Sequence, residues 1–483
     1  MIIIWMFLIY KISIMRSLIR SFWISSVLVL ISCAQADKIS FDSSSNAGLL
    51  LQGGLGIIRN LGSGTAFSSF SFSAQENFLS QDYPTVINGT NITATVPYGV
   101  VARLRPTFAV SADATVKVGE MTQISGINWN DFSNPVTYTV VAGNGTKQNY
   151  TVTVSVTNPI TDAGQKICYD GTLNSIACGG TVHPNQDADF QNGPQASFVK
   201  TVFPEYSSQP VVHDKIAGLA WKYCPEGTNP VDCSGTNSQY SYANAVAACD
   251  ALNAGNGYAG YKSWRIPSIQ ELYSISTYEN PTPSPYLDVA FFPNSSQTFW
   301  SGTAVATPGS SRWTFNFTQG TSSNLSETGS LPVRCVVSGA FPAKQFVDMG
   351  DGTILEKTSN LRWAQCSYGQ SGTNCSSGTL TNIGRQAGLQ FCANIATSDG
   401  KPWRLPNVHE LRSIVEYGFT VGNGVLDTAY FKNNPVNVTY LTSNANPDPS
   451  NKNLFLLDFV YGPISLSSFL ATTAAIRCVK DGP

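Results

Sequence analysis

The chain has 483 residues, a formal net charge of −2 and only 12% charged residues, about half the usual share of roughly 25%. This length is too great for one hydrophobic core and predicts several domains. The weak charge excludes an electrostatic footprint for nucleic acid. The abundance of Ser, Thr, Asn, Gly and aromatic residues favours a β-rich exported protein over a helical cytosolic enzyme.

The N-terminus predicts export. Residues 1–36 have the order of a secretory signal peptide, with basic residues ahead of an apolar segment, and Met15 offers an alternative start for it. The ending Leu-Ile-Ser-Cys-Ala-Gln-Ala fits cleavage after Ala36. It also fits a bacterial lipobox in which Cys33 becomes the lipidated first residue, and a lone cysteine at this position favours the lipobox. Residues 37–65 are rich in Ser and Gly and predict a tether.

These features predict a lipid-anchored protein of the bacterial cell envelope, held in the outer membrane and exposed at the surface. The membrane, reached through the lipid, is therefore the first predicted partner. After the signal peptide, no stretch of sequence reaches the roughly 18 apolar residues needed to span a bilayer.

Residues 66–157 predict an Ig-like β-sandwich. Segments such as FSSFSFS and ITATVPYGV alternate apolar and polar residues, and Asn144-Gly145 between two alternating runs is a strong hairpin signal. The turn spacing fits about seven short strands. Residues 158–205 have no such pattern and predict a linker, stapled by Cys168 and Cys178.

The cysteines predict a disulfide framework. Ten remain after Cys33, an even number in an exported chain, and matching spacings in the two halves nominate their partners. The predicted pairs are Cys168–Cys178, Cys224–Cys233, Cys249–Cys335, Cys366–Cys375 and Cys392–Cys478. The alternative, a metal site, is weak because no two cysteines form a CxxC motif and the three histidines are scattered. We expect neither a metal nor a cofactor.

Residues 206–340 (copy 1) and 341–483 (copy 2) predict two tandem copies of one domain. Each copy has a Trp-containing lead-in, an amphipathic helix that carries a cysteine, a shared segment ending in Phe-x-Asn and a closing Arg-Cys-Val. The apolar period places Cys249 on the buried face of the helix in copy 1, and Phe391 and Cys392 on that face in copy 2.

The phrases WRIPSIQEL and WRLPNVHEL predict a helix start in each copy. Ser268 and Glu271 form a capping box, and so do Asn407 and Glu410. The structural motif comprises Trp264, Arg265, Pro267 and Glu271 in copy 1 and Trp403, Arg404, Pro406 and Glu410 in copy 2. A functional alternative makes Arg and Glu a binding or acid–base pair, but a Glu engaged in capping favours the scaffold. No Ser-His-Asp or Cys-His set emerges, so we do not expect an enzyme.

The order of these motifs resembles a known family. A Trp with paired cysteines, a cysteine-bearing helix, W-R-[IL]-P-x-x-x-E-L and a terminal R-C-V are similar to the C-terminal domain of a Legionella collagen-like adhesin, in two copies over residues 206–483. The resemblance implies a C-type-lectin-like fold with a helix-to-last-strand disulfide, surface exposure and, in the namesake, adhesion to sulfated glycans. Residues 66–157 are similar to Ig-like modules of spirochaetal surface lipoproteins. The expected architecture is thus α+β and all-β: an Ig-like β-sandwich followed by two disulfide-bonded C-type-lectin-like domains.

The expected function is binding by an adhesin or ligand-binding surface lipoprotein, with a glycan or an extracellular-matrix protein as ligand. We expect recognition at the divergent loops 277–312 and 417–452, where exposed aromatic side chains would stack on a ligand. The candidate binding residues are Tyr286, Trp300, Trp313, Tyr430, Tyr440 and Tyr461. One alternative is a structural or assembly role in the envelope without a soluble ligand. An enzyme on a C-type-lectin-like fold is the least favoured.

Overall fold

The structure is a computed structural model, and it describes residues 62–181, 183–279, 285–305, 310–417, 425–434, 438–446, 452–459, 464–468 and 472–483. The predicted signal peptide, its lipobox with Cys33 and most of the tether lie outside the described residues. Leu61–Pro483 form one compact unit. The unit is mostly β-sheet, with short helices and five disulfides. None of the helices in the described ranges is both long and apolar enough to cross a membrane.

The N-terminal module consists of two sheets around one core. Its elements are β1 (Phe67–Phe72), α1 (Ala74–Asn77), β2 (Tyr83–Pro84), β3 (Val86–Asn88), β4 (Asn91–Pro97), β5 (Thr107–Val110), β6 (Thr115–Val118), β7 (Met121–Gln123), β8 (Val136–Val141) and β9 (Lys147–Thr157). The small sheet has the order β2-β1-β5 and the large one β3-β4-β9-β8-β6-β7. All pairs are antiparallel except β4–β9, which is parallel. Alternating residues such as Phe70, Phe72, Tyr138 and Val152 fill the space between the sheets.

The predicted linker contributes to the fold of both copies. It holds β10 (Cys168–Tyr169), β11 (Ser175–Ile176), α2 (Asp187–Phe190) and β12 (Phe198–Thr201). Strand β12 pairs with the first strand of copy 1, while Tyr169 and Leu173 pack into a core of copy 2. The segment is therefore a packed part of the molecule, because its apolar residues find partners on both sides.

Copy 1 has two sheets and two helices. Its elements are β13 (Val211–Asp214), β14 (Ala220–Lys222), α3 (Tyr242–Ala251), β15 (Trp264–Arg265), α4 (Ile269–Ser274), β16 (Thr298–Ala304), β17 (Ser311–Asn316), β18 (Thr321–Ser326) and β19 (Val336–Val337). The sheets have the orders β12-β13-β14-β19-β15 and β16-β17-β18.

Copy 2 repeats this plan with additional short strands. Its elements are β20 (Phe346–Asp348), β21 (Thr353–Glu356), β22 (Leu361–Ala364), β23 (Gln370–Ser371), β24 (Ser377–Gly378), β25 (Ile383–Gly384), α5 (Arg385–Ala393), α6 (Val408–Ser413), β26 (Thr439–Ala445), β27 (Asn453–Asp458), β28 (Ile464–Ser468), β29 (Thr473–Ala474) and β30 (Val479–Asp481). The main sheets have the orders β20-β21-β22-β30 and β26-β27-β28.

The helix prediction for copy 2 needs one correction. Phe391 lies 39% exposed, packed edge-on against Tyr368, whereas Leu389 and Cys392 are fully buried. The buried face of α5 is centred on Arg385, Gly388, Leu389 and Cys392, an i, i+3, i+4, i+7 set that turns Phe391 outward.

The five disulfides join the pairs that the spacings nominate. In each copy a short bridge joins cysteines 9 residues apart. A long bridge joins cysteines 86 residues apart and links the first helix to the residues just before the last strand of that copy. Each long bridge lies in a separate core with a tryptophan beside it, Trp264 in copy 1 and Trp403 in copy 2.

The largest core is shared by the two copies. It contains Trp221 and Leu272 of copy 1 together with Trp363 and Leu411 of copy 2, all fully buried. Equivalent elements meet across it, α4 with α6 and β18 with β28. The two copies therefore associate as the halves of a two-fold symmetric dimer do, through the same surface on each half.

Reciprocal ring contacts support this symmetry. Tyr278 of copy 1 packs edge-on against Phe455 of copy 2, with 4.7 Å between ring centroids. The equivalent Tyr417 of copy 2 packs edge-on against Trp313 of copy 1, at 5.3 Å. Aromatic side chains at the same two positions thus form the same kind of contact in both directions.

Candidate functional site

The repeated phrase forms the helix starts that its sequence predicts. Ser268 accepts a hydrogen bond from the Glu271 amide, and the Glu271 carboxylate accepts one from the Ser268 amide; Asn407 and Glu410 do the same in copy 2. The prolines before the caps bind the following sheet. The Pro267 carbonyl accepts a hydrogen bond from the Gly302 amide at 2.7 Å, and the Pro406 carbonyl accepts one from the Ser443 amide at 2.8 Å. These residues are scaffold.

The arginine of each phrase pairs with the capping glutamate. Arg265 donates to both Glu271 oxygens, at 2.8 and 2.7 Å. Arg404 donates to Glu410 and, at 2.8 Å, to Asp481. With Glu271 and Glu410 both buried and bonded to a cap and an arginine, no free acid–base pair remains at the phrase.

The candidate aromatic binding residues do not form a surface. Trp300 and Tyr440 are 0% exposed, Trp313 is 2% and Tyr286 is 8% exposed. The prediction that these four side chains are free to stack on a ligand is wrong, because the strands β16, β17 and β26 and their flanks turn them into the cores.

Their polar atoms are also mostly used inside the molecule. The Trp300 Nε1 donates to the Tyr240 carbonyl at 2.8 Å, and the Tyr286 hydroxyl donates to Asn446 at 2.7 Å. The half-buried Tyr430 packs against Phe346. Tyr461 and parts of both predicted recognition loops lie outside the described residues.

A first cleft lies where α4 and α6 meet, and we call it the axial cleft. It is lined by residues at equivalent positions of the two helices: Gln270 corresponds to His409, Tyr273 to Arg412, and Ser274 to Ser413. The remaining lining residues are Tyr98, Asn158, Pro159, Ile160, Thr161, Ala217, Phe341 and Lys344. The cleft has a volume of about 50 Å³.

Buried polar groups surround the axial cleft. Burial lowers the pKa of His409 to about 3, and its Nε2 lies 3.0 Å from Ser276 Oγ while its Nδ1 lies 3.1 Å from the Thr161 carbonyl. The histidine is therefore neutral near pH 7. Burial also lowers the pKa of Lys344, whose ammonium donates to the Val415 carbonyl at 2.8 Å.

A second cleft lies where the N-terminal module, the linker and both copies meet, and we call it the junction cleft. The cleft is open to solvent and has a volume of about 420 Å³. The lining residues are Ser80, Gln81, Tyr83, Thr95, Thr157, Pro159, Pro194, Ile216, Lys357, Thr358, Ser359 and Asn360. Most are uncharged hydrogen-bonding residues, and Lys357 brings the single charge among them.

One wall of the junction cleft is held rigidly. The buried Glu356 carboxylate accepts hydrogen bonds from the hydroxyls of Thr358 and Ser359 and from the Gln345 amide. The Thr358 carbonyl accepts a bond from the Asn158 amide at 2.8 Å, which joins the linker to this turn of copy 2.

The cleft also carries unused hydrogen-bonding groups. Among the described residues, the side chains of Gln81, Tyr83, Lys357 and Asn360 have no hydrogen-bond partner, and they are exposed or half-buried at the cleft. Such groups beside an aromatic ring can bind a polar, uncharged ligand.

Sequence reasoning missed two buried arginines, those of the closing Arg-Cys-Val. Arg334 donates to the carbonyls of Lys222, Tyr223 and Pro293 and to Ser295 Oγ. In copy 2, Arg477 donates to the equivalent carbonyls of Ala364 and Gln365, and also to Ser367 Oγ and Asn434 Oδ1. Burial lowers the pKa of Arg334 to about 9. The signal was available, since both arginines precede the long-bridge cysteine in largely apolar segments.

The described residues contain one group of potential metal ligands, Cys168, Cys178 and Asp189. Both cysteines are in a disulfide, so their sulfur atoms are not thiolates that a soft metal would bind.

Comparison with known proteins identifies two families. The model of the Lcl C-terminal domain matches residues 210–337 and 352–480, together more than half of the chain. A model described as SGBP, N-terminal, matches residues 69–154. The latter is a different family from the Ig-like modules predicted for residues 66–157. Apolar–polar alternation and turn spacing indicate a β-sheet module, but they do not distinguish one family of such modules from another.

Similarity to solved structures is low. A secreted protein from Bacteroides fragilis is 17% identical over 19% of this chain and 95% of its own, with a TM-score of 0.15. A protein from Bacteroides thetaiotaomicron that is described as a glycoside hydrolase by assignment is 14% identical over 42% of this chain and 41% of its own, with a TM-score of 0.15. The adhesin InvE from Yersinia pseudotuberculosis is 9% identical over 85% of this chain and 98% of its own, with a TM-score of 0.17. The chain matches none of the curated proteins with which it was compared.

Proposed function

Because the chain belongs to the Lcl C-terminal domain family, we propose that it is a glycan-binding protein. We propose further that it is exported and lipid-anchored at the surface of a bacterium. The two matched families suggest a surface or glycan-binding protein. The five disulfides support an oxidising compartment outside the cytosol. The lipobox sequence ending in Cys33 supports the lipid anchor.

The fold assignments that belong to this proposal are finer than the family matches. A C-type-lectin-like fold for each copy is supported by its two short helices, its antiparallel sheets and the long bridge between α3 or α5 and the segment before the last strand. An Ig-like arrangement of the N-terminal module is supported by two sheets around one core.

The observation that carries the binding proposal is the junction cleft. Its 420 Å³ of fillable space is large enough for a sugar ring, whereas the 50 Å³ of the axial cleft is not. Its free groups on Gln81, Tyr83, Lys357 and Asn360 offer donors, acceptors and an aromatic ring, which are what a sugar needs from a protein. This puts the proposed recognition site at the meeting of the modules and moves it away from the divergent loops.

The binding test is a glycan array probed with the oxidised mature protein, followed by affinity measurement on the best ligand. Gln81→Ala should weaken binding about fivefold, because one hydrogen bond of about 1 kcal/mol is lost. The matched control is Asn88→Ala, another exposed amide of the N-terminal module, on strand β3, which should bind like the wild type. Binding to no glycan, or equal affinity of the two variants, would count against the junction cleft.

The anchor is tested separately by Cys33→Ala. The wild type should incorporate labelled palmitate and partition into detergent, and the variant should do neither. Protease added to intact cells should remove the wild-type protein if it is displayed on the surface. A wild type that takes up no label would favour ordinary cleavage after Ala36.

A further inference from the structure

Arg412, the arginine of the axial cleft, has two buried nitrogen atoms without a hydrogen-bond acceptor in the described ranges. Its side chain is 3% exposed, and its Nη2 donates to the Tyr278 hydroxyl at 2.6 Å and to the Gly320 carbonyl at 3.4 Å. Its Nε and Nη1 have no acceptor within the described residues. Arg412 therefore keeps more than half of its N–H donors unused in a buried position.

Arg412 also has no counter-ion within the part of the chain that the structure describes. The neighbouring cations have theirs, since Arg404 pairs with Glu410, and Lys344 lies 3.9 Å from Glu416. The groups that face Arg412 are the ring of Tyr273, with its centroid 4.0 Å from Cζ, the rings of Tyr278 and Phe315, and the neutral His409. A buried charge without a counter-ion or full hydrogen bonding is unfavourable, so a ligand that supplies both would be bound.

From this geometry we infer that the axial cleft binds a small oxyanion, a carboxylate or a tetrahedral oxyanion, through the guanidinium of Arg412. Lys344 lines the same cleft and adds positive charge, whereas the hydroxyls of Ser274 and Ser413 already donate to the carbonyls of Glu271 and Glu410. The size of the cleft decides the class of ligand: about 50 Å³ accommodates a group of a few heavy atoms and excludes a sugar ring.

The site belongs to the pair of copies and to neither copy alone. Copy 1 has Tyr273 where copy 2 has Arg412, so the phenol ring stacks on the guanidinium across the contact between α4 and α6. The free nitrogens are closed to bulk solvent. The anion therefore enters with a local movement of the half-buried Gln270, Ser274 or Ser413 side chains.

The test is isothermal titration calorimetry of the oxidised mature protein with sodium acetate and, in a second series, sodium sulfate at constant ionic strength. We expect saturable heat from one or both anions, which also identifies the class. Arg412→Gln should weaken that binding at least tenfold. Arg312→Gln, which removes an arginine that already pairs with Glu327, is the matched control and should bind like the wild type.

Wild-type protein that gives no saturable heat with either anion overturns the inference, and so does equal binding by Arg412→Gln. If Arg412→Gln does not fold, crystals of the wild type grown in sodium selenate decide the question by anomalous scattering. A selenium peak beside Arg412 supports the site. Its absence, together with the absence of a bromine peak from crystals grown in sodium bromoacetate, overturns it. Gln81→Ala should leave the heat unchanged, which separates this site from the junction cleft.

Discussion

Single buried cations hold the end of each copy to its beginning. Arg334, next to Cys335 of the long bridge, donates to the carbonyls of Lys222 and Tyr223 at the end of β14, and it does so while buried. Its bonds go to carbonyl and hydroxyl oxygens that would otherwise be buried without a donor. A shorter side chain at this position would leave several of these acceptors buried without a donor.

We expect Arg334→Lys to lower the free energy of unfolding by about 2–4 kcal/mol, because an ammonium cannot reach all four acceptors. Urea unfolding of the oxidised protein measures it. Arg312→Lys is the control, since a partly exposed pair with Glu327 contributes at most about 1 kcal/mol. Equal losses for the two variants would contradict the role given to Arg334.

His409 should make stability depend on pH. Its folded pKa is about 3, below the unfolded value of about 6.5, so between these values the unfolded chain binds the proton and the folded protein does not. The contribution is complete above pH 6.5 and declines as the pH falls. The stability advantage of the wild type over His409→Gln should shrink by about 3 kcal/mol from pH 7 to pH 4 in urea unfolding.

His213→Gln provides a comparison within the same chain. This histidine is also buried with its pKa lowered to about 3, and it should show the same trend. A difference between wild type and His409→Gln that stays constant with pH would mean that the ring is not held neutral.

At the residue scale, sequence alone predicted roles that depend on neighbours in the chain. Glu271 completes the cap at Ser268, three residues earlier, and this is readable from the spacing. The fate of Trp300 and Tyr440 depends on which face of a strand meets the core, and loop-like composition concealed those strands. The unpaired state of Arg412 depends on the other copy and has no local signal.

The long bridges tie together elements that are distant in sequence. Each joins the first helix of a copy to the segment before its last strand, so it closes a loop of 86 residues, whereas each short bridge closes a loop of 9. The matched spacings were sufficient to nominate the pairs, because a duplicated fold duplicates its cross-links.

Replacing Cys249 and Cys335 together by Ala should cost about 4.6 kcal/mol, and replacing Cys224 and Cys233 about 2.6 kcal/mol, if loop-closure entropy of the unfolded chain dominates. Urea unfolding of the two variants measures both losses, and both bridges lie in copy 1. A short-bridge variant that loses as much as the long-bridge variant would show that native-state contacts of the bridges outweigh loop length.

At the scale of elements, alternation and capping predicted strands and helix starts, but not which strands share a sheet. The parallel pairing of β4 with β9 and the recruitment of β12 from the linker both depend on contacts far apart in sequence. The FSSFSFS segment, by contrast, was readable as β1 because its alternation is local.

The two copies should behave as one folding unit. Their largest core mixes side chains such as Leu272 and Leu411, and a cut between the copies would expose Phe455 and Trp313 to water. We expect residues 341–483, expressed alone under oxidising conditions, to lack a cooperative unfolding transition.

The measurement is circular dichroism during thermal unfolding, with the intact mature protein as the control, for which we expect one transition. A fragment that unfolds cooperatively by itself would show that each copy carries a sufficient core. Sequence predicted the duplication of these copies but treated each as an independent domain, since a shared core leaves no mark on either repeat alone.

Covalent linkage changes what can stand on the contact between α4 and α6. In a homodimer of one domain, every residue beside the axis meets an identical residue, so a guanidinium would face a guanidinium and repel it. Once both halves are encoded in one chain, the halves can diverge at that position, and here a tyrosine faces Arg412. Fusion of the two halves thus permits an asymmetric recess that no self-association of identical subunits could produce.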